Sequence, residues 1–192
     1  MNNIQNTILD IMTNCSTNIE HAKQVAEYCE KIVTALNGKI FNFSEQEKNY
    51  LKTAALLHDI GYCIEKKSHH KHTMAIILEK GLNGFSEEET KIIANIARYH
   101  RSSLPDETKH EEYAKLTSEQ KNTVKKLAAI LRIADGMDKP HKNLIIKISA
   151  EQTEENINFQ IKTIGFKPKL KSAKEKSDLF ELITGKTTNY II

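Results

Sequence analysis

The sequence predicts a mainly α protein: a helical body over residues 1–142, followed by a small β–β–α–β segment over residues 143–192. Three observations predict it. Apolar residues recur at spacings of three and four through most of the first 136 positions. Two capping boxes, Ser44-Glu45-Gln46-Glu47 and Ser86-x-x-Glu89, open helices within that run. From Leu144 the period changes, and Ile157-Asn158-Phe159-Gln160-Ile161 alternates cleanly, as a half-buried strand does.

In chain order, a first helix is expected over Ile4–Thr13 and a second from about Thr17 to Leu36, stopped by Asn37-Gly38. On the second, Ile32, Tyr28 and Val25 step back to His21 and place an imidazole on the apolar face. The Ser44 box opens a third helix in which Leu51, Ala54 and Ala55 lead to His58, followed by Asp59. After a polar turn, His69-His70-Lys71-His72 starts a helix reaching Lys80, and Gly81–Gly84 breaks it. The Ser86 box opens the next helix, whose Ile93 and Ile96 lead to His100. Residues Pro105–Leu116 read as a long loop of the kind that forms a lid or substrate contact. A helix from Thr117 to Gly136 follows, with Val124, Ala128 and Leu131 in line with Asp135. Strands are expected at Leu144–Ile148, Ile157–Ile161 and Thr187–Ile192, with a helix over Lys174–Ile183. Phe159, Ile161, Ile164 and Phe166 suggest one apolar face in this segment, which would either pack on the helical body or pair with a second copy as a homodimer.

With 192 residues and 39% hydrophobic content, the chain suits one domain, or one domain with an appendage, and a sizeable core. The net charge is only +3 and the lysines are scattered, so charge points to neither nucleic acid nor a membrane. A small phosphorylated substrate is compatible with it. Three cysteines, an odd number without a Cys-x-x-Cys pair, fit a reduced cytoplasmic protein without structural zinc. No signal region opens the chain, and no apolar run approaches membrane-spanning length.

What stands out is a recurring oddity: polar groups at the buried edges or ends of separate helices. Taken singly, each has an ordinary reading as a satisfied core histidine or a capping residue. Together His21, His58, Asp59, the His69–His72 cluster, His100 and Asp135 are harder to explain, because each unsatisfied burial costs about 1–3 kcal/mol. A shared metal centre satisfies them at once, and imidazole with carboxylate suits borderline divalent ions.

Several segments carry a likeness beyond spacing: Leu57-His58-Asp59-Ile60-Gly61, Ala97-Arg98-Tyr99-His100-Arg101, Leu131-Arg132-Ile133-Ala134-Asp135-Gly136-Met137-Asp138, and Asp178-Leu179-Phe180-Glu181 before Gly185-Lys186. On them the chain resembles the HD superfamily of metal-dependent phosphohydrolases. It is closer still to the C-terminal helical domain of the exopolyphosphatase/guanosine pentaphosphate phosphatase family, over about residues 17–192. The resemblance implies an HD-type helical bundle and hydrolysis of a phosphoester or phosphoanhydride in a nucleotide or similar metabolite by a metal-activated water. In that family's larger proteins an actin-like ATPase-fold pair of domains, ahead of this region, holds the polyphosphatase site. That activity is not expected of this sequence, which reads as a free-standing HD domain.

Carried over residue by residue, the resemblance gives His21, His58, Asp59 and Asp135 to one metal ion, with Asp59 bridging to a second as the catalytic carboxylate. His100 and one histidine of the cluster complete the second site. His70, five residues before Ala75, is preferred there, while His69 and His72 stay open. The ions would be Mn, Fe, Zn or Mg. Arg98, Arg101, Arg132, Lys71 and Lys139 lie near the ligand positions; Arg101 and Arg132 are the preferred partners of substrate phosphate, a solvated charge being the ordinary reading. Asp138, one turn beyond Asp135, suits either a supporting role behind a ligand or a helix end. The rival from another class is a regulatory or nucleotide-binding module without catalysis that partners a separate phosphatase subunit.

Overall fold

The computed structural model describes residues 2–15, 18–101, 103–139 and 143–192, with side chains from Ile8 onward. The expected start of the second helix at Thr17 and the 142/143 boundary touch positions outside the described residues. The helices are α1 (Asn2–Asn14), α2 (Ile19–Leu36), α3 (Glu45–Leu57), α4 (His69–Lys80), α5 (Glu87–Arg98), the short α6 (Glu111–Ala114) and α7 (Ser118–Met137). A single 3-10 turn, Ile60–Cys63, joins α3 to α4. Strands β1 (Ile145–Gln152) and β2 (Asn156–Thr163) follow, then helices α8 (Lys171–Glu175) and α9 (Asp178–Thr184), and strand β3 (Thr187–Ile191). This is a mainly α architecture with a small α+β C-terminal part. Among the described residues no helix is long and apolar enough to cross a membrane.

The caps sit where the sequence placed them. Ser44 and Ser86 each accept from the backbone N–H three residues on, and Glu47 and Glu89 reach back to the cap N–H. Thr117 and Gln120 form a third capping box at the start of α7. Each box satisfies two backbone donors that a helix start otherwise leaves orphaned. On α2, the side chain of Asn18 caps by accepting from the His21 N–H, which fixes the first turn of the helix that carries that histidine.

Helices α2, α3, α5 and α7 pack through fully buried stripes, including Val25, Ile32, Leu51, Ala54, Ala55, Ile93, Ile96, Val124, Ala128 and Leu131. The same apolar cluster continues into Ile145, Ile157, Phe159, Ala173 and Phe180, so the sheet and its helices share the core of the bundle.

Strand β2 is central, antiparallel to β1 and parallel to β3, with α8 and α9 forming the crossover. Three features differ from the sequence expectation, each for a tertiary reason. The expected helix over 174–183 is broken at Lys176–Ser177 into α8 and α9, where Arg132 of α7 grips Asp178. Residues 105–116 contain α6: buried Tyr113 packs edge-on against Tyr99, and His110 Nδ1 accepts from both the Tyr99 hydroxyl and the Asp106 N–H. Finally, Phe159 and Ile161 are buried, but Ile164 and Phe166 are exposed, because β2 ends at Thr163 and Gly165 turns in the left-handed region (φ 71°).

Candidate metal centre

Four helix ends and one helix interior converge on Asp59. The donor atoms of His21, His58 and Asp59 lie within 4.8 Å of one another, and so do those of Asp59, His69 and His100. Asp59 is common to both groups. Its Oδ2 is 3.4 Å from His58 Nε2 and 3.8 Å from His21 Nε2, while its Oδ1 is 3.2 Å from His69 Nε2 and 3.5 Å from His100 Nε2. One carboxylate thus turns one oxygen toward each group.

The rings are oriented from behind. His58, His69 and His100 each place Nδ1 at 2.7–2.9 Å from the carbonyl three residues earlier, those of Ala55, Lys66 and Ala97. A carbonyl only accepts, so Nδ1 carries a proton in each ring, and Nε2, turned to the centre, is a lone-pair donor to a cation whenever the ring is neutral. His58 Nε2 is buried with no hydrogen-bond partner. His69 and His100 bring their Nε2 atoms to 3.0 Å of each other, a pairing of two acceptors that requires a cation or a shared proton. His21 is oriented by a carboxylate instead: its Nδ1 donates to Asp138 Oδ2 at 2.6 Å, leaving Nε2 facing Asp59 and Asp135, the latter at 3.5 Å.

Close backbone approach sets this geometry. Gly61 lies so near the first turn of α4 that a Cβ there would meet the His69 carbonyl and stand 2.6 Å from the Thr73 nitrogen. The Thr73 hydroxyl donates to the His58 carbonyl and accepts from the Gly61 N–H, lacing the His58-Asp59 turn to the helix that bears His69.

Burial and neighbouring charges compete at titratable groups of the site. Burial raises Asp59, but the neighbouring His58, the His69 hydrogen bond and His100 outweigh it and hold the carboxyl below its usual range. Asp135 is likewise held well below: burial opposes ionisation, while His21 and the Lys176 ammonium, which sits on its Oδ2, favour it. Burial and the charge of His58 push His100 down and keep it neutral. For His21, burial acts to lower the pKa, but the hydrogen bonds of Asp135 and Asp138 win and raise it to about 9.

The sequence-derived candidates are placed as follows. His21, His58, Asp59 and His100 come together, and Asp135 adjoins the first group through His21. From the histidine cluster it is His69 that joins Asp59 and His100. His70 enters neither group, and burial followed by the charge of Arg98 lowers it to about 4. The helical phase carried the signal: His69, Thr73, Ile76 and Ile77 form the buried stripe of α4, whereas Ala75, used to favour His70, is exposed. His72 pairs with Glu65. Arg101 lies beside the second group, its Nη1 3.4 Å from the Lys67 carbonyl and 3.5 Å from His69 Nδ1.

Arg132 requires a correction. It is 1% exposed, its Nε and Nη2 donate to Asp178, and its Nη1 donates to the Tyr99 carbonyl. A guanidinium so engaged holds α9 against α7 instead of facing a phosphate. Sequence reasoning missed Lys176 and the Tyr62 ring, which stacks on His69 at 3.9 Å between centroids. No sequence signal ties Lys176 to a site 41 positions away.

Known proteins resemble this chain. The profile of Ppx/GppA phosphatase, domain III, matches residues 4–178. The chain belongs to that family. Proteins named guanosine-5'-triphosphate,3'-diphosphate pyrophosphatase are similar to this domain III chain. The one from Pseudoalteromonas translucida is 44% identical over 54 residues, 28% of this chain and 11% of the relative. That of Aeromonas hydrophila is 31% identical over 115 residues, 60% of this chain and 22% of the relative. That of Vibrio cholerae is 25% identical over 149 residues, 76% and 29% respectively. The domain III chain therefore spans less than a third of the length of these curated relatives.

Proposed function

We propose that this chain is a metal-dependent phosphohydrolase of the HD type, acting on a nucleotide or similar phosphorylated metabolite. The observation that carries the reading is the convergence of imidazole Nε2 atoms on the two oxygens of Asp59, with the Nδ1 protons fixed behind them. Buried acceptors facing one another are costly unless a cation or a proton joins them, and several converging on one carboxylate favour a cation. The donor set of imidazoles and carboxylates suits borderline divalent ions such as Mn, Fe or Zn, and admits Mg less readily. His21, His58, Asp59 and Asp135 would hold one ion, and Asp59, His69 and His100 a second, so His69 takes the place expected for His70. When bound, the ions supply Lewis acidity that polarises a phosphoryl oxygen and acidifies water.

The chain's own residues do the rest. Asp59 fixes the spacing of the two groups, and the Ala55, Lys66 and Ala97 carbonyls keep the imidazole tautomers in place. Asp138 holds His21 in register, and Arg101 stands beside the second group to receive substrate phosphate. The helical body over 1–142 carries the donor residues, while the segment over 143–192 supports the site through Asp178 and Lys176. The names of the similar proteins make guanosine 5'-triphosphate 3'-diphosphate a natural member of the substrate panel.

The test is phosphate release from a panel of nucleotides, including that one, with and without added Mn²⁺ and after treatment with a chelator. Turnover that the chelator removes and Mn²⁺ restores supports the reading. Tight nucleotide binding without turnover under any metal would replace it with the non-catalytic module.

Two further outcomes are expected. Asp138→Asn should weaken metal retention at the first group by about 10–100-fold, the usual effect of losing a carboxylate behind a ligating histidine. Equilibrium dialysis against graded Mn²⁺ checks it, and an unchanged affinity would reduce Asp138 to a helix-end residue. Because a ligating imidazole must be deprotonated and Asp135 and Asp138 raise His21 to about 9, protons should compete for the first group once the pH falls through about 9, and bound metal should decline further as the pH is lowered. Metal content measured across a pH series reads this directly; retention that is flat down to pH ~4 would argue against histidine ligation.

A further inference from the structure

Among the described basic residues near the centre, Lys176 has an unusual setting. Its ammonium sits on Asp135 Oδ2, its side chain is 25% exposed, and its charge reaches His100 of the second group as well. The side chain is flexible, but its backbone is fixed by three separate devices. First, α8 lies so close to α7 that a Cβ on Gly136, the residue after Asp135, would stand 2.6 Å from the Ala173 Cα and 2.8 Å from the Ser172 carbonyl carbon. Second, Arg132 of α7 holds Asp178, two residues beyond Lys176, through a two-pronged ion pair. Third, buried Ser177 donates to the Ala173 carbonyl and shares a 2.7 Å hydrogen bond with the Tyr190 hydroxyl. The break between α8 and α9 falls at the residues so held.

The other cations nearby do not have this combination of anchoring and access. Arg132 is fully engaged, Arg98 is buried with its guanidinium near the Tyr99 ring, and Arg101 stands on the side of His69. We propose that Lys176 is the residue that binds the substrate's phosphoryl group on the Asp135 side of the centre, a role that rests on the metal-dependent reading above. With Asp135 holding a divalent ion, the Lys176 ammonium would no longer be needed as its counter-ion. A phosphoryl group brings new negative charge to the same place, and a compact ammonium on a flexible stem suits it as a point-charge partner. The helix break in the crossover between β2 and β3 then has a function: it delivers a cation from the C-terminal segment to a site built by the helices.

The experiment compares the full chain with Lys176→Met, Lys176→Gln and Lys176→Arg. Mn²⁺ per chain, calorimetric affinity of the Mn²⁺-loaded protein for inorganic phosphate, and melting with and without Mn²⁺ are measured for each. Wild type and all three variants are expected to hold the same Mn²⁺. Phosphate affinity should fall about tenfold or more in the Met and Gln variants, the effect of losing one charge-assisted hydrogen bond, and recover in the Arg variant. Destabilisation of the Met variant should appear without Mn²⁺ and vanish with it. Unchanged phosphate affinity in Met and Gln overturns the proposal and leaves Lys176 as a counter-ion of Asp135. Loss of Mn²⁺ in those variants overturns it too, by assigning Lys176 to the metal. If the wild type itself takes up no Mn²⁺, the parent reading fails visibly, and the proposal with it. The Gln and Arg variants keep the test decisive should the Met variant fold poorly.

Discussion

Asp59→Ala is expected, on the proposed two-ion reading, to reduce bound divalent metal from about two ions per chain to nearly none, and to lower phosphate release by more than about 100-fold, beyond the usual cost of losing an outer partner of a ligand. The size of the effect follows from position. Asp59 is the only residue common to both donor groups among the described residues, with one oxygen turned toward His58 and His21 and the other toward His69 and His100. Removing it leaves the second group with imidazoles alone and the first with only Asp135 as a carboxylate, and takes away the one charge the two groups share. Elemental analysis of anaerobically purified protein, with circular dichroism to verify folding, reads the first effect, and a phosphate assay the second. Should the variant retain both ions, the bridging geometry has no part in metal binding.

Gly61→Ala is expected to destabilise the protein by about 3 kcal/mol, the upper part of the range for forced overpacking. For a chain of 192 residues that corresponds to a fall in Tm of about 6–12 °C. The reason is specific. The added Cβ would meet the His69 carbonyl and the Thr73 nitrogen, both backbone atoms of α4, so no flexible side chain can move aside. Relief requires the turn after α3 to lift from α4, which widens the 3.2 Å separation of Asp59 and His69. The second donor group should therefore lose metal before the first, and stoichiometry should fall toward one ion per chain. Scanning calorimetry with metal analysis tests both parts. A Tm within about 1 °C of wild type would show that the close approach relaxes without cost.

Much of the fold was readable in the chain because its signals are local. Capping boxes at Ser44 and Ser86 satisfy backbone donors within four residues, and the stripes ending in His58, His100 and Asp135 follow from a period of 3.6. The candidate site was legible to the same extent. His21, His58, His100 and Asp135 were identifiable because a polar residue continued a buried stripe, and Asp59 because it follows His58; periodicity reports a stripe without knowledge of its partner. The choice within His69–His72 turned on phase: counting from Thr73, Ile76 and Ile77 selects His69, and counting from exposed Ala75 does not.

Other features depended on contacts between distant segments. Arg132 shares the C-terminal half of α7 with Asp135, and only the arrival of Asp178 from the crossover determines that its guanidinium is a clamp. Lys176 lies in a stretch whose pattern reads as continuous helix; packing at Gly136 and the pull of Asp178 break it and bring the ammonium to Asp135. By itself, then, the sequence determined the helices, their caps, the buried faces and most of the side chains that line the centre, since these obey hydrogen-bonding and periodicity rules within a few residues. Only the tertiary structure decided which imidazole completes the second group, which cations are engaged and which face the centre, because those outcomes depend on distances across α4, α7 and the α8–α9 break that no spacing along the chain encodes.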